Sequence, residues 1–398
     1  MDSEQNQGSV LQEQTLPEFP RLPGPLGDLI DAITPDIPYE HKALSAVTYM
    51  GVALSGRTQL AGDYDNLQSR FYACLIGPPG SGKSAAQNEV KKALQGLGDV
   101  YVQSSINSGP ALVMALAEHS RLLYLPDEAS GAFEKAKHGR SFPDMLHLLE
   151  DNQVEHRVRD KETKVPDAHF AMILTATPKV FADMWTGTGG ASSGLQSRFV
   201  LSFSAERMPL VRTANKSLEL GLAVENLRTI IETVPPEISL PDTRGDFTKG
   251  LVGDGLHIDA EMSRVVDMGR RFCLILAACN YKTQIDDEIM ALGRAFIEYQ
   301  VAFYEHLMPA DAWSWVQRFE NRIIRYFEKY PGTHPQRQVL NYITPKDSQG
   351  GFGVFKKAFD NLVNTRELIW TEKNRSGYEL WKLNPDRAPR HTVHTVQP

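Results

Sequence analysis

An apolar run, Tyr72–Ile76, opens directly into Gly77-Pro78-Pro79-Gly80-Ser81-Gly82-Lys83-Ser84, and helical spacing of apolar residues follows over Ser84–Leu97. No other feature of the chain limits its fold so tightly. The pattern GxxxxGK[ST] between a strand and a helix is the phosphate-binding loop. Glycines let backbone amides turn inward around phosphate oxygens, and the helix that follows adds the positive end of its dipole. On this reading Gly77, Pro78, Pro79, Gly80, Ser81, Gly82, Lys83, Ser84 and Ala85 cradle a nucleotide. Lys83 reaches the β- and γ-phosphates, and the Ser84 hydroxyl ligates Mg²⁺. ATP and Mg²⁺ are therefore the expected ligands; the alternative is a glycine-rich turn that binds nothing.

The surroundings suit the loop. Short apolar runs at Tyr72–Ile76, Val100–Ser104, Arg121–Leu125, His169–Thr175 and Phe199–Ser204 alternate with helical segments such as Pro110–His119 and Phe142–Glu150. Buried strands alternating with helices predict an α/β fold with a five-stranded parallel sheet covered on both faces. The third run ends in Asp127-Glu128. A strand near the loop must offer a carboxylate to the Mg²⁺ shell, which suits Asp127, and Glu128 can take a proton from the attacking water. The rival is a solvated turn. The fourth run ends in Thr175-Ala176-Thr177-Pro178, where Thr177 is a candidate sensor of the γ-phosphate or a satisfied core threonine. A glycine-rich stretch, Thr186–Gly194, then presents Arg198 before the last strand. Such an arginine neutralises transition-state charge in a neighbouring subunit's site, or else is a structural ion-pair partner. The finger reading implies a homo-oligomer, with a hexameric ring among its forms. Before the fourth strand, Val154–Arg159 and Lys164 onward read as a hairpin whose Lys161 and Lys164 would touch a phosphate backbone or simply face solvent.

Charge divides the chain. Asp311–Pro398 holds 14 Lys+Arg against 9 Asp+Glu, a net of +5, while the first 310 residues hold 28 against 40, a net of −12. An overall −7 argues against a protein that merely coats nucleic acid; a basic C-terminal module on an acidic body does not. That module shows helical spacing over Trp313–Lys329, Pro335–Ile343 and Gly353–Thr365, then two alternating runs, Leu368–Thr371 and Tyr378–Leu383. Three helices and a β-wing make a winged helix, whose third helix enters the major groove. Lys356, Lys357, Asn361 and Asn364 would face outward, with Lys373 and Arg375 on the wing; docking of a protein is the alternative. Between sheet and module, Asn215–Glu232, Ala260–Ala278 and Asp286–Leu307 read as helices, with Arg270 and Arg271 on their surface; a nucleotide-sensing role for the pair is the alternative. The three cysteines show no metal-ligand spacing and read as reduced residues of a cytoplasmic protein. No run is long enough for a membrane helix, so no membrane partner is expected.

Taken in order, the loop, the Asp-Glu strand, the hairpin, the polar strand end and the arginine resemble the additional-strand P-loop ATPases of the AAA+ and superfamily-three helicase type. The closer resemblance is to a large bacterial family, known as a domain of unknown function, found in prophages, plasmids and other mobile elements beside primases. It rests on the proline-rich entry and helical lead-in (Phe19–Gly56), the GPPGSGKS loop, the Asp-Glu strand, Thr175–Pro178, the Gly194–Phe199 run and the helix rich in Arg and Ala (Ser263–Asn280), and it spans Phe19 to Pro309. The resemblance implies an ATP-hydrolysing oligomeric motor on DNA, a replicative helicase of a mobile element. A helicase loader or DNA-bound regulator that does not unwind is the second reading. An ATP-gated adaptor in anti-phage defence or transposition, with a replication or defence protein as partner, is the third. The expected parts are a disordered 1–18, a helical lead-in 19–70, an ATPase core 71–205, a helical subdomain 206–310, a winged helix 311–385 and a flexible tail 386–398.

Overall fold

Tyr72-Ala-Cys-Leu-Ile has no charged position, so a strand built from it needs cover on both faces and a neighbour on each edge. The computed structural model gives it both. The described residues are 16–61, 67–106, 108–126, 152–158, 161–187, 198–210, 213–240, 263–307, 315–343, 351–373 and 377–385. The chain divides into two compact units, Met1–Met184 with Gly194–Glu305, and Trp185–Ser193 with His306–Pro398.

In the first unit, α1 (Gly24–Ala32), α2 (Tyr39–Leu54) and the short β1 (Gln59–Leu60) precede β2 (Tyr72–Ile76). Then come α3 (Lys83–Leu94), β3 (Tyr101–Gln103), α4 (Gly109–Glu118) and β4 (Arg121–Tyr124). A hairpin, β5 (Val154–Val158) and β6 (Lys161–Val165), leads to β7 (His169–Ala176), α5 (Pro178–Gly187) and β8 (Phe199–Phe203). The unit closes with α6 (Ser217–Thr233), β9 (Glu237–Ile238), α7 (Ser263–Cys279) and α8 (Asp287–Leu307). The main sheet is parallel, in the order β3-β4-β7-β2-β8. β2 is thus an inner strand, aligned so that Tyr72 faces Met172 on β7 and Phe199 on β8. Every residue of β2 is buried. The expected helix Phe142–Glu150 lies outside the described residues.

β8 ends the sheet, and an open edge exposes unpaired amides and carbonyls. α8 covers it with side chains. The Gln300 amide takes the Leu201 N–H at 2.9 Å and returns an N–H to the Leu201 carbonyl at 2.9 Å. Tyr299 Oη accepts from Phe203 N at 3.0 Å, and Tyr304 Oη donates to the Phe199 carbonyl at 3.2 Å. These three residues supply alternate backbone positions of β8 as a sixth strand would, and α8 therefore belongs to the same compact unit as the sheet.

The expectation of a surface Arg270–Arg271 pair is corrected. Arg271 is 5% exposed and donates to the Gln68 carbonyl at 2.7 Å, just ahead of β2. Arg270 is half-buried and pairs with Asp267 at 2.6 Å. Neighbours in sequence stand about 100° apart on a helix, so a doublet at the edge of an apolar face puts one member inward.

In the second unit, α9 (Trp315–Lys329), β10 (His334–Pro335), α10 (Gln336–Ile343) and α11 (Gly351–Asn364) precede β11 (Leu368–Lys373) and β12 (Glu379–Leu383). The strands form an antiparallel sheet in the order β10-β12-β11. Phe319, Ile323 and Phe327 of α9 pack with Val339, Phe355, Phe359, Leu362 and Leu368 in one apolar core. Asn361 does not face outward as the helical spacing suggested: its amide donates to Glu320 of α9 at 3.0 Å. Glu320 is 6% exposed, and a buried carboxylate needs a donor more than the surface needs an amide. Among the described residues no helix is long and apolar enough to cross a membrane.

If α8 stands in for a missing strand, Gln300→Leu leaves two backbone groups of β8 unpaired at about 1–3 kcal/mol each. Urea denaturation should show a loss of roughly 2–4 kcal/mol, with Tyr299→Phe costing less than half of that. A Gln300→Leu loss under about 1 kcal/mol would mean that the edge is satisfied in another way.

Candidate functional site

The Gly77–Ser84 segment turns between the C-terminal end of β2 and the start of α3. Gly77 N donates to the Ala176 carbonyl at 3.2 Å, which ties the loop to the end of β7. Gly80 and Gly82 have φ of 83° and 85°, in the left-handed region that favours glycine. Gly82 is required twice over, because a Cβ there would lie 2.5 Å from Met208 Sδ and 2.8 Å from Pro38 Cδ. Gly82 is also the residue that caps α3, and it brings no side-chain acceptor to the helix end. The first amides of a helix have no intrahelical partner, so this end presents N–H groups and a positive dipole where an anion can meet them.

Lys83 folds back over the loop. Its ammonium donates to the Gly77 carbonyl at 2.7 Å, the Pro78 carbonyl at 2.8 Å and Ser81 Oγ at 3.2 Å. Burial lowers its pKa from the ordinary lysine value. A phosphate offers a stronger, charge-assisted acceptor than these carbonyls and would draw the ammonium toward itself. Ser84 is exposed beside it, Ser81 is buried, and Ala85 is half-buried. The loop therefore fits a polyphosphate in donor set and charge, and places a hydroxyl where a divalent cation could ligate. Thr177 directly follows β7, at the same end of the sheet as the loop. Its Oγ1 accepts from Val180 N at 3.3 Å, capping α5, and a hydroxyl that accepts one bond can still donate another.

Asp127 and Glu128 follow β4 by three and four positions and lie outside the described residues, as does Arg375. Arg198 stands immediately before β8 and is 6% exposed. The parallel register pairs Phe199 with Tyr72 and Phe203 with Ile76, so Arg198 lies at the opposite end of the sheet from the loop of its own chain. Five strand residues separate the two ends by ~16 Å. Lys161 begins β6 opposite Val158, and Lys164 is exposed farther along it. In the C-terminal unit, Lys356 on α11 and Lys373 at the end of β11 are exposed; Lys357 occupies α11 beside Lys356. Lys161 and Lys164 thus belong to the hairpin of the first unit, and Lys356, Lys357 and Lys373 to the second unit.

Two features beside the loop escaped the sequence reading. His41 on α2 is fully buried, shares a 2.8 Å hydrogen bond between Nδ1 and Ser202 Oγ, and has no partner for Nε2 among the described residues. Burial, assisted by the Lys83 charge, pushes its pKa down to about 3. The second is a cavity of about 870 Å³ lined by Arg21, Pro38, Tyr39, Glu40, Glu206 and Met208 among others. Met208 N donates to the Gly80 carbonyl at 2.9 Å, so the cavity wall and the loop are continuous. Burial raises the Glu40 carboxyl above its usual range, against hydrogen bonds from its own backbone and Ser204, and Glu206 adds to the rise. The Arg21 guanidinium lies 3.9 Å over the Tyr39 ring. Only the proline-punctuated lead-in hinted at this wall, and a pattern of prolines carries no information about which residues it will face.

Among the described residues no group of three His, Cys, Asp or Glu side chains is placed to hold a metal ion. Cys74, Cys273 and Cys279 are free thiols, each buried. Comparison with protein-family models and with curated proteins gives no match to this chain.

His169 is a second buried imidazole, 2.8 Å from an Asp167 carboxylate oxygen and hydrogen-bonded through Nδ1 to Ser55 Oγ at 2.8 Å. Burial, with Arg70 beside it, lowers its pKa to about 4 despite Asp167. Both histidines take up protons more readily unfolded than folded, so their contribution is complete above about pH 6.5 and is lost as pH falls through about 4 for His169 and about 3 for His41. Stability should decline across that window by up to about 1.4 kcal/mol per pH unit for each histidine. His41→Gln and His169→Gln should each flatten the slope of the urea midpoint against pH; an unchanged slope in both would place the acid sensitivity elsewhere.

Proposed function

We propose that this chain is an oligomeric, Mg²⁺- and ATP-dependent P-loop ATPase of the additional-strand type, acting on DNA as a helicase-like motor of a mobile element. The observation that carries the reading is the strand order. β7 is inserted between β2, which leads into the Gly77–Ser84 loop, and β4, which leads toward Asp127-Glu128. That insertion sets additional-strand ATPases apart from P-loop proteins whose loop strand and acidic strand are direct neighbours. It also brings Thr177 between the two, where a donor can meet both the terminal phosphate and the attacking water.

The roles follow from chemistry. Lys83 leaves the Gly77 and Pro78 carbonyls for the phosphates, while the amides at the start of α3 hold their oxygens. Ser84 and Asp127 would hold Mg²⁺, which when bound draws charge from the β- and γ-oxygens. Glu128 takes the proton of the attacking water. Arg198 stands too far from its own loop to act there, so as a finger it would serve a neighbour's nucleotide in an oligomer; its burial within its own chain favours the structural alternative. The cavity beside the loop, with the flat Tyr39 ring and the Glu40 carboxyl, is the natural place for the nucleoside.

The C-terminal unit has the helix, strand, helix, helix, strand, strand order of a winged helix, with the first short strand paired to the last. Lys356 and Lys357 on α11, with Lys373 and Arg375 on the wing, would meet phosphates of duplex DNA. One observation favours the adaptor reading instead: Asn361 turns inward to Glu320, which removes a polar group from the face that would read bases.

Lys83→Ala should abolish nucleotide binding, whereas Glu128→Gln should keep binding and stop turnover, because Lys83 contacts phosphates in the ground state and Glu128 acts on the water. Calorimetric titration with ATP separates the two; equal loss of affinity in both variants would defeat the division of roles.

Arg198→Ala should bind ATP normally and lose turnover by about 10³-fold or more. Mixed with Lys83→Ala protein, it should recover part of the activity, since each variant supplies what the other lacks at one shared interface. Absence of recovery at every mixing ratio would make Arg198 a structural residue.

A further inference from the structure

The C-terminal unit carries an aromatic cluster to which α11 and the wing contribute no residue. Tyr326 on α9, Tyr330 just after it and Tyr342 on α10 meet with ring centroids 5.1 Å apart (Tyr326–Tyr330), 5.1 Å (Tyr326–Tyr342) and 5.4 Å (Tyr330–Tyr342). Their planes cross at 48°, 60° and 82°. His334 packs against Tyr326 at 5.1 Å and joins its Nε2 to the Tyr330 carbonyl at 2.9 Å, fixing the turn between the helices. Tyr326 is buried in the core, but Tyr330 and Tyr342 are 38% and 51% exposed. With Gln338 and Asn341 they line an open cavity of about 360 Å³. Lys329 sits at its rim, donating to Tyr342 Oη at 3.1 Å, with its ammonium 5.5 Å from the Tyr330 centroid and 5.8 Å from that of Tyr342.

The chemistry of this surface selects its ligand. The rings already pack edge to face at separations too short to admit a cation between them, so they do not form a cage for a quaternary ammonium group. What they offer is aromatic surface open to solvent, 38% of Tyr330 and 51% of Tyr342, against which a flat partner can lie once the Lys329 ammonium moves to the partner's own charge. Gln338 and Asn341 each bring a carboxamide that both donates and accepts, as the edge of a nucleobase requires. Arg322 and Lys329, seven residues apart, share one face of α9 that runs toward the cluster, and Arg325 between them has a buried guanidinium nitrogen. The segment from Asp311 onward carries a net +5, complementary to a polyanion.

We infer that Tyr330 and Tyr342 form a stacking platform for single-stranded nucleic acid, with Lys329 and Arg322 of α9 following its phosphates. Base-paired DNA hides its ring faces inside the duplex, so this site takes a strand already opened and is distinct from the duplex contact proposed for α11 and the wing. The inference extends the DNA-acting reading and rests on it only for the source of the open strand; the platform itself does not require ATP hydrolysis.

The test uses the full chain, labelled oligo(dT), a labelled hairpin duplex and fluorescence anisotropy. Tyr330→Ala with Tyr342→Ala should weaken oligo(dT) binding by about tenfold or more, the usual effect of losing base stacking on aromatic residues. Duplex affinity and ATP hydrolysis should stay at the wild-type level. Phe at both positions should restore strand binding, and Leu at both, which keeps apolar bulk without a ring face, should not. Lys329→Gln should lower the log–log salt slope for oligo(dT) by about 0.7. Wild-type affinity for oligo(dT) in the alanine or the leucine pair overturns the inference. So does loss of polyproline-peptide binding with strand binding intact, which would make the surface a peptide groove. If the wild-type chain hydrolyses no ATP but its oligo(dT) binding still depends on these tyrosines, the motor reading falls and the platform stands.

Discussion

The geometry of the loop depends on β2 being held on both edges and at its entry. β7 and β8 pair with it residue for residue, so the direction in which Ile76 delivers the chain into Gly77 is set by two ladders. β8 can serve only because α8 supplies its outer hydrogen bonds through Tyr299, Gln300 and Tyr304. The entry is fixed by Arg271, which reaches from α7 to the carbonyl of Gln68. On the proposed function, a loop that aims several amides at one phosphate gains from this rigidity, since donors aligned before binding lose little entropy on meeting their ligand.

Much of this was legible because its signals are local. The glycine spacing of the loop, the uniform apolar character of β2 and the alternation of strand and helix are properties of short windows. The helices around Tyr39–Leu54, Ser217–Thr233 and Asp287–Leu307 follow from apolar spacing to within a few residues, and the hairpin from two alternating runs around a turn. The helices and strands of the C-terminal unit were read the same way. The strands His334–Pro335, Gln59–Leu60 and Glu237–Ile238 have no counterpart in the sequence pattern, being too short to show a period.

What local pattern could not supply is which polar group finds which partner. Gln300 reads as an ordinary residue of an amphipathic helix until β8 is found beside it, and Arg271 as half of a basic surface doublet until its neighbour carbonyls are known. Asn361 has outward spacing on α11, yet Glu320 lies 41 residues away in sequence and turns it inward. In each case the deciding fact is a backbone or carboxylate group far away in sequence that cannot be left unpaired. A buried imidazole such as His41 gives no signal either, because histidine is common on both surfaces and cores.

These long-range partners share a logic. Lys42 donates at 3.1 Å to the carbonyls of Ile33 and Thr34, where α1 ends, and burial lowers its pKa to about 8. Arg121 on β4 donates to the Ser55 carbonyl at 3.1 and 3.2 Å, where α2 ends, and its pKa too is lowered by burial. Arg70 is fully buried, donates to the Ala168 carbonyl ahead of β7 at 3.1 Å, and has its pKa lowered to about 9 by burial, with Arg271 beside it. The last carbonyls of a helix have no partner within it and carry the negative end of its dipole, so a cation is the donor that suits them best. Four cations, each from a different part of the chain, thus hold ends of helices and entries of strands at the points where the lead-in meets the sheet. Desolvating them is costly, and apolar contacts would bind the same elements with less expense. Directional bonds to named carbonyls add what apolar packing lacks, a single angular setting of α1 and α2 against the sheet. That setting places Pro38 against Gly82 and Tyr39 and Glu40 in the cavity wall, so the buried cations serve the shape of the candidate site even though none of them belongs to it.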